Sequence, residues 1–514
     1  MASPHIATRK QFSRNLSSGW LLLAAEVAVA FFLTPFIIAK LGAAAYGIWS
    51  LMIGLIGYMG LVDIGLRGAV GRYVNHYMAL GDRKALSEVV ATSCSVLTGL
   101  AAVALLLALL IAPNFAVIFP KTPAGLLGDI AFALPLLTIG LWMSFMSAIL
   151  NNLLAAKEAT FKANQYALLT TALRTAGVVW ALSAGHGISA LVLVNLAVGV
   201  LGISITLRTV RRAFGDQMPS LLGFSRVRLK EMWAYGIATF VSRTASTLAN
   251  DSAPIIGMWV LGPEAVAIYS VALTLTQNAR RLQDMANSAI FPSVMKSGAL
   301  RDFAGLRSLY LRFMDISFSI GALVFIGLMV FSRDFLGLWV GPAFTDGALA
   351  VAVLAFGYLM QGVASTAPLT LHSLDRVRVT VKIGLWEAAA CIVLTAALPG
   401  LLGLGLLGLA LGTTLPRLMS NLGLYPWLAI RTMGPELRLP MWRAIWRNAA
   451  LCAVVAGLML ALHWAIPGTS WPALIISVGA ACVLHLMIVA LRMENPPVIG
   501  ALTDPIRHRL FRRG

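Results

Sequence analysis

The sequence predicts an all-α integral membrane protein with about fourteen transmembrane helices. Composition, the length of the apolar runs and the placement of basic residues predict it together. The chain is 59% hydrophobic and 11% charged, against about 25% charged in soluble domains. Its apolar runs reach the ~20 residues that a helix needs to cross the hydrocarbon core. Of its 39 Lys and Arg residues, 33 fall in the N-terminal tail and in every second gap after it. The intervening gaps hold three: Lys40, Lys121 and Arg333. Short loops rich in Lys and Arg stay cytoplasmic, so the alternation orients the chain.

The run at 17–39 follows Arg9, Lys10 and Arg14; it is too long for a signal peptide and reads as an uncleaved first helix. Runs 45–66 and 89–112 flank Arg67, Arg72, Arg83 and Lys84, and runs 127–150 and 165–184 flank Lys157 and Lys162. Runs 187–207 and 234–257 flank six basic residues from Arg208 to Lys230, in a polar stretch containing Gly215, Asp216, Pro219 and Gly223. Runs 265–288 and 313–331 flank six more, from Arg280 to Arg312. Runs 347–369 and 380–398 flank Arg376, Arg378 and Lys382; runs 404–429 and 448–466 flank Arg431, Arg438, Arg443 and Arg447. The run at 472–491 precedes a basic tail. An even count of spans puts both termini on one side, and the charge bias makes that side the cytoplasm.

The stretch Leu41-Gly42-Ala43-Ala44-Ala45-Tyr46-Gly47-Ile48-Trp49-Ser50 recurs 220 residues later as Leu261-Gly262-Pro263-Glu264-Ala265-Val266-Ala267-Ile268-Tyr269-Ser270. Both copies occupy the turn between the first and second span of a half, with the same orientation, which predicts parallel repeats. The expected organisation is an N-lobe of spans 1–6 (residues 1–208), a cytoplasmic linker (209–233) and a C-lobe of spans 7–12 (234–431) around a central cavity. Spans 13 and 14 with the basic tail (432–514) form an appended pair.

A net charge of +19 would suit nucleic acid, but these charges sit in loops that face anionic lipid headgroups, so anionic lipids are expected as partners and nucleic acid is not. Cys94, Cys391, Cys452 and Cys482 lie in apolar runs without a CxxC pair, which predicts small buried hydrophobes. No GxxxxGK[ST] or HExxH motif occurs, and no catalytic residue, metal or cofactor is expected. Gly403-Leu404-Gly405-Leu406-Leu407-Gly408 fits GxGxxG, yet it lies in an apolar span without a βαβ pattern and reads as helix packing. The Asn15-Leu16-Ser17 sequon falls on the cytoplasmic side, and His463 and His485 read as packing residues. The outer loops are too short to house the acidic residues of a membrane glycan polymerase or ligase, the least favoured function class.

Interior charges carry the functional signal, because each costs about 2.5–3.5 kcal/mol at the bilayer centre on insertion scales. Arg174, Arg243 and Arg417 lie inside apolar spans, as do Glu26, Asp251 and Glu387. One reading pairs them between helices, for example Glu26 with Arg243. The other makes Arg243, Arg174 and Arg417 an anion site in a hydrated cavity, since guanidinium binds phosphate oxygens bidentately. Glu26, Asp251 and Asp63 then serve ion coupling or charge balance. Asp63 and Arg67, four residues apart, also fit a local helix pair. Arg417 follows Pro416, where a break in the helix is expected.

The segments Phe36-Ile37-Ile38-Ala39-Lys40-Leu41-Gly42, Tyr46-Gly47-Ile48-Trp49, Leu61-Val62-Asp63-Ile64-Gly65-Leu66 and Arg72-Tyr73 resemble bacterial polysaccharide flippases of the O-antigen (lipopolysaccharide) and exopolysaccharide pathways. These belong to the multidrug/oligosaccharidyl-lipid/polysaccharide exporter superfamily. The resemblance is clearest over residues 17–90. It implies a multi-pass protein of the bacterial cytoplasmic (inner) membrane that moves an undecaprenyl-pyrophosphate-linked oligosaccharide to the outer leaflet by alternating access. It further implies a proton or sodium gradient as driving force and polysaccharide polymerase or export machinery as partners. A cation-coupled multidrug antiporter of the same superfamily is the alternative; its cavity should be dominated by acidic residues.

Overall fold

The computed structural model describes residues 9–63, 65–157, 159–468 and 470–492. The basic tail beyond Arg492 and Ile64 of the quoted motif lie outside the described residues. With no water in the hydrocarbon core, backbone N–H and C=O groups must be paired within the segment, and a helix does this. Among the described residues the chain is helical with no strand.

The helices are α1 (Arg9–Leu41), α2 (Ala43–Met59), α3 (Leu66–Leu80), α4 (Arg83–Ile111), α5 (Phe115–Ile118) and α6 (Leu127–Ala156). Then come α7 (Thr160–Ser183), α8 (Ile188–Phe214), α9 (Arg226–Val260), α10 (Pro263–Ala299), α11 (Phe303–Trp339) and α12 (Ala348–Met360). The last six are α13 (Ala367–Ser373), α14 (Val377–Gly400), α15 (Gly405–Met419), α16 (Tyr425–Met433), α17 (Arg438–Ala465) and α18 (Trp471–Arg492). Every expected span is helical. Among the described residues nine stretches are long and apolar enough to cross a membrane by length and composition. The other expected spans, in α2, α7, α9, α10 and α15–α16, are shorter, broken or carry interior charges.

The basic gaps differ from expectation. They are mostly helical extensions rather than loops: Arg83 opens α4, Arg211 ends α8, and Arg280 and Lys296 both lie within α10. Continuing the helix keeps the backbone paired while long basic side chains reach toward water.

Two helix pairings agree with the span count. Along α1 and α7, Arg14 lies over the Phe161 ring at 4.3 Å, Asn164 donates to the Ser18 hydroxyl at 2.9 Å, and Glu26 acts electrostatically on Arg174. Both numberings rise together, so the first and fifth spans run parallel. Along α11 and α17, Asp315 accepts from Arg447 and from Asn448, and Asp334 pairs with His463 at 3.2 Å. The ninth and thirteenth spans are therefore parallel too. These contacts dock the appended pair, where His463 also packs edge-on against the Phe331 ring at 5.5 Å.

Contacts divide the described chain into two compact units. One comprises residues up to Thr274 with Arg378–Pro416; the other comprises Leu275–Val377 with residues from Arg417 on. The first has a core around Ile48, Leu51, Val89, Leu97, Ile130 and Phe145. The second is built around Tyr310, Phe325, Tyr358 and Val455. Large apolar side chains such as Leu110, Trp180, Val393 and Trp464 are exposed, as a lipid-facing exterior requires.

The two copies of the repeat adopt the same turn. Gly42 (φ 81°) separates α1 from α2, and Gly262 (φ 102°) separates α9 from α10. Residues with side chains rarely take this left-handed conformation. Within the first unit the copies also touch: a Cβ at Gly47 would fall on the Pro263 carbonyl. Gly47→Ala should therefore destabilise the fold by about 1–3 kcal/mol, read as a lower thermal midpoint in fluorescence-detected size-exclusion chromatography. Gly57→Ala, with open space around its Cβ position, should leave the midpoint unchanged or raised.

Candidate functional site

The interior charges fall into separate settings. Arg174 on α7 is in the electrostatic field of Glu26 on α1, and these two helices pack along their length. Arg174 is thus one partner of Glu26; the sequence offered Arg243 as an example. Arg243 is exposed on α9. Asp251 lies eight residues further on the same helix, about 12 Å along its axis, and acts on the Tyr58 hydroxyl of α2. Asp63 is 1% exposed; it accepts from Arg67 and, at 2.9 Å, from the Gly65 N–H. Arg67 also lies 5.0 Å from the Phe145 ring centre. The local helix pair expected from the four-residue spacing is present.

Arg417 is 5% exposed and belongs to the second unit. Its guanidinium lies 4.8 Å from the centre of the Tyr358 ring, and Arg280 of α10 lies 5.4 Å from the same ring. Tyr358 is fully buried and its hydroxyl has no hydrogen-bond partner. Arg280 also pairs with Asp284 at 3.3 Å. The helix passes through Pro416, and the break comes afterwards as a π-helical turn, Ser420–Leu424. Asn421 in that turn donates to the Arg417 carbonyl at 2.9 Å. A proline ring crowds the carbonyl four residues back; for Pro416 that is Gly412, whereas for Pro426 it is Leu422, inside the widened turn.

Arg280 was assigned to a basic gap by the charge count, although 280 lies within the expected span 265–288; that overlap was the available signal. Two guanidinium groups on one tyrosine form a concentrated cationic feature inside the second unit. Each such stack is worth about 0.5–2 kcal/mol, and such groups bind planar anionic oxygens well.

A second network escaped the sequence reading. Arg228, in the first turn of α9, donates to Glu88 of α4 at 3.0 Å, to Glu231 at 3.1 Å and to the Tyr77 hydroxyl of α3 at 2.7 Å. Tyr77 in turn donates to Glu231 at 2.7 Å. Burial, then the bond to Glu231, pushes the Tyr77 phenol above its ordinary value; the bonds to Glu231 and Glu88 push the Arg228 guanidinium up. No periodicity marks this cluster, because its members come from three helices.

Among the described residues no group of three or more His, Cys, Asp or Glu side chains is gathered as a metal site would require. Cys94 and Cys391 are buried, and Cys452 and Cys482 are half-buried.

A profile for polysaccharide biosynthesis proteins matches residues 17–297. The probable low-salt glycan biosynthesis flippase Agl15 of Haloferax volcanii is 23% identical over 392 residues, covering 74% of this chain and 75% of its own. In fold, the chain is similar to the lipid II flippase MurJ in an inward closed conformation. The TM-score is 0.69 at 12% identity, over 93% of this chain and 98% of that one. It is also similar to an inward-facing multidrug resistance MATE family transporter of the MOP superfamily, with a TM-score of 0.67 at 15% identity over 81% and 99%.

The Tyr358 stack yields a direct test. Tyr358→Phe keeps the ring and removes only an unpartnered hydroxyl, so the thermal midpoint should hold. Tyr358→Leu removes the support of both guanidinium groups, and the midpoint should fall by several degrees.

Proposed function

The chain belongs to the polysaccharide biosynthesis protein family, and from that premise we propose that it flips an undecaprenyl-pyrophosphate-linked oligosaccharide from the inner to the outer leaflet of a bacterial cytoplasmic membrane. The family match carries this reading. As a member of a flippase family with a MOP-type fold, the chain is a multi-pass membrane transporter and not an enzyme. The finer assignments are proposals. Both termini and the basic gaps face the cytoplasm. Two lobes, residues 1–208 and 234–431, joined by 209–233, alternate their access to a central cavity. Arg243, Arg174 and Arg417 bind the pyrophosphate, and its charge is what makes intramembrane guanidinium groups tolerable. Glu26, Asp251 and Asp63 serve ion coupling or charge balance, with a proton or sodium gradient as driving force. Polysaccharide polymerase or export machinery takes up the product.

Deleting the gene should cause an undecaprenyl-linked oligosaccharide to accumulate on the cytoplasmic face, measured by mass spectrometry of lipid-linked glycans. Arg243→Ala should abolish glycan export at normal protein abundance, and Arg243→Lys should restore it only in part, since lysine keeps the charge but not the fork. Retained export in Arg243→Ala would remove that residue from the site. Resistance to cationic dyes without a glycan defect would favour the multidrug antiporter instead.

A further inference from the structure

The first unit contains an elongated groove that the proposed transport does not use. Its larger part, about 550 Å³, is lined by residues of α4, α6, α8 and the linker, among them Cys94, Met146, Ile203, Leu207, Leu221 and Leu222. A second part of about 260 Å³ shares Thr98 and Trp142 with the first and continues along α4 and α6 to Leu105 and Thr138. These volumes match those of small-molecule sites.

The lining is apolar, and its few polar groups are engaged. Trp142 Nε1 donates to the Thr98 hydroxyl at 3.0 Å, and the Ser95 hydroxyl donates to the Gly223 carbonyl at 2.8 Å. Water needs two to four polar partners in a buried site, so the groove favours a hydrocarbon occupant. Along α6 the lining runs from Leu150, at the basic end of the expected span, to Thr138. Those twelve residues span about 18 Å, a little over half of the ~30 Å hydrocarbon core. The groove therefore has the reach of one leaflet.

Its mouth is cationic. Arg208 follows the lining residue Leu207, and Arg211 lies one turn further on the face of Ile203 and Leu207; both are exposed. Lys157, just past the end of α6, lies 4.8 Å from the ring of Phe214 at the end of α8. The linker forms one wall and is tied down beside it: the Ser220 and Ser225 N–H groups donate to the Ser87 and Thr92 hydroxyls of α4 at 2.8 and 2.9 Å.

We propose that this groove binds one hydrocarbon chain of an anionic phospholipid from the leaflet facing the basic gaps, with the lipid phosphate on Arg208 and Arg211 and with linker residues Leu221 and Leu222 as a lid.

The test uses the purified full-length protein in detergent, titrated with phosphatidylglycerol or phosphatidylcholine of identical chains. Native mass spectrometry reads retained lipid, and the thermal midpoint reads its effect. Phosphatidylglycerol should be retained at least fivefold more than phosphatidylcholine and should raise the midpoint further. Ile203→Trp fills the groove; it should abolish retention and the lipid-dependent rise. Leu222→Ser alters an exposed side chain, so the fold survives and lipid retention alone should fall. Arg208→Gln with Arg211→Gln should bring the two lipids to parity. Equal retention of both lipids by the unaltered protein overturns the proposal, as does unchanged retention in both Ile203→Trp and Leu222→Ser.

Discussion

The backbone's need to satisfy its own hydrogen bonds in hydrocarbon governs this molecule. Each unpaired backbone group in lipid costs several kcal/mol. The chain therefore crosses as helix and is interrupted at specific places: the left-handed turns at Gly42 and Gly262 and the π turn after Arg417. The same medium sorts the charges. Basic residues collect at one end of the helices because their transfer across is costly. A charge left inside a span must be neutralised locally, and how that is done distinguishes the interior residues from one another.

Carboxylate pairing and aromatic support differ chemically. Asp63 bonds Arg67 and the backbone after it, stabilising the end of a short 3₁₀ turn (Gly60–Asp63). Arg228 is held by two carboxylates and a phenol at the junction of three helices. A carboxylate occupies guanidinium donors, so such pairs serve the fold first. An aromatic face stabilises the cation through its quadrupole and takes no in-plane donor. Tyr358 supports Arg417 and Arg280 through its face, and Arg280 also holds the carboxylate of Asp284, so the two modes meet on one side chain.

Most of the architecture was legible because its determinants are local. Twenty apolar residues specify a span, and alternating basic gaps specify direction. The parallel pairings of α1 with α7 and of α11 with α17 follow from that count. The turns at Gly42 and Gly262 were visible as a repeat. Determinants that arise from packing between distant segments were not legible. Nothing in the sequence links Glu26 to Arg174, or Arg228 to Glu88 and Tyr77. Arg280 was hidden for a different reason: the gap rule treats a basic residue near a span's end as a loop residue, whereas α10 continues to Ala299. Pro416 shows the reverse, a local signal through which the helix continues, while the widened turn at Ser420–Leu424 lies before Pro426.

Helix α9 carries the mechanical consequence. The repeat groups it with the second half of the sequence, while its contacts tie it to α2, α3 and α4. At its basic end the ties are charged: Arg228, Glu88, Glu231 and Tyr77. At the other end the α9–α10 turn presses against Gly47, the Lys121 ammonium donates to the Val260 carbonyl, and Trp259 Nε1 donates to the Ile118 carbonyl. Contacts place α9 in the same compact unit as α2, α3 and α4, so both ends of the helix hold that unit together. The charged ties join groups that are already partly exposed, so water and salt weaken them. The glycine-packed end adds close backbone contact, which depends on the absence of a side chain at Gly47. Carboxylates carry the ties at the basic end, whereas backbone carbonyls carry them at the other, where the fit of the repeated turns sets the spacing.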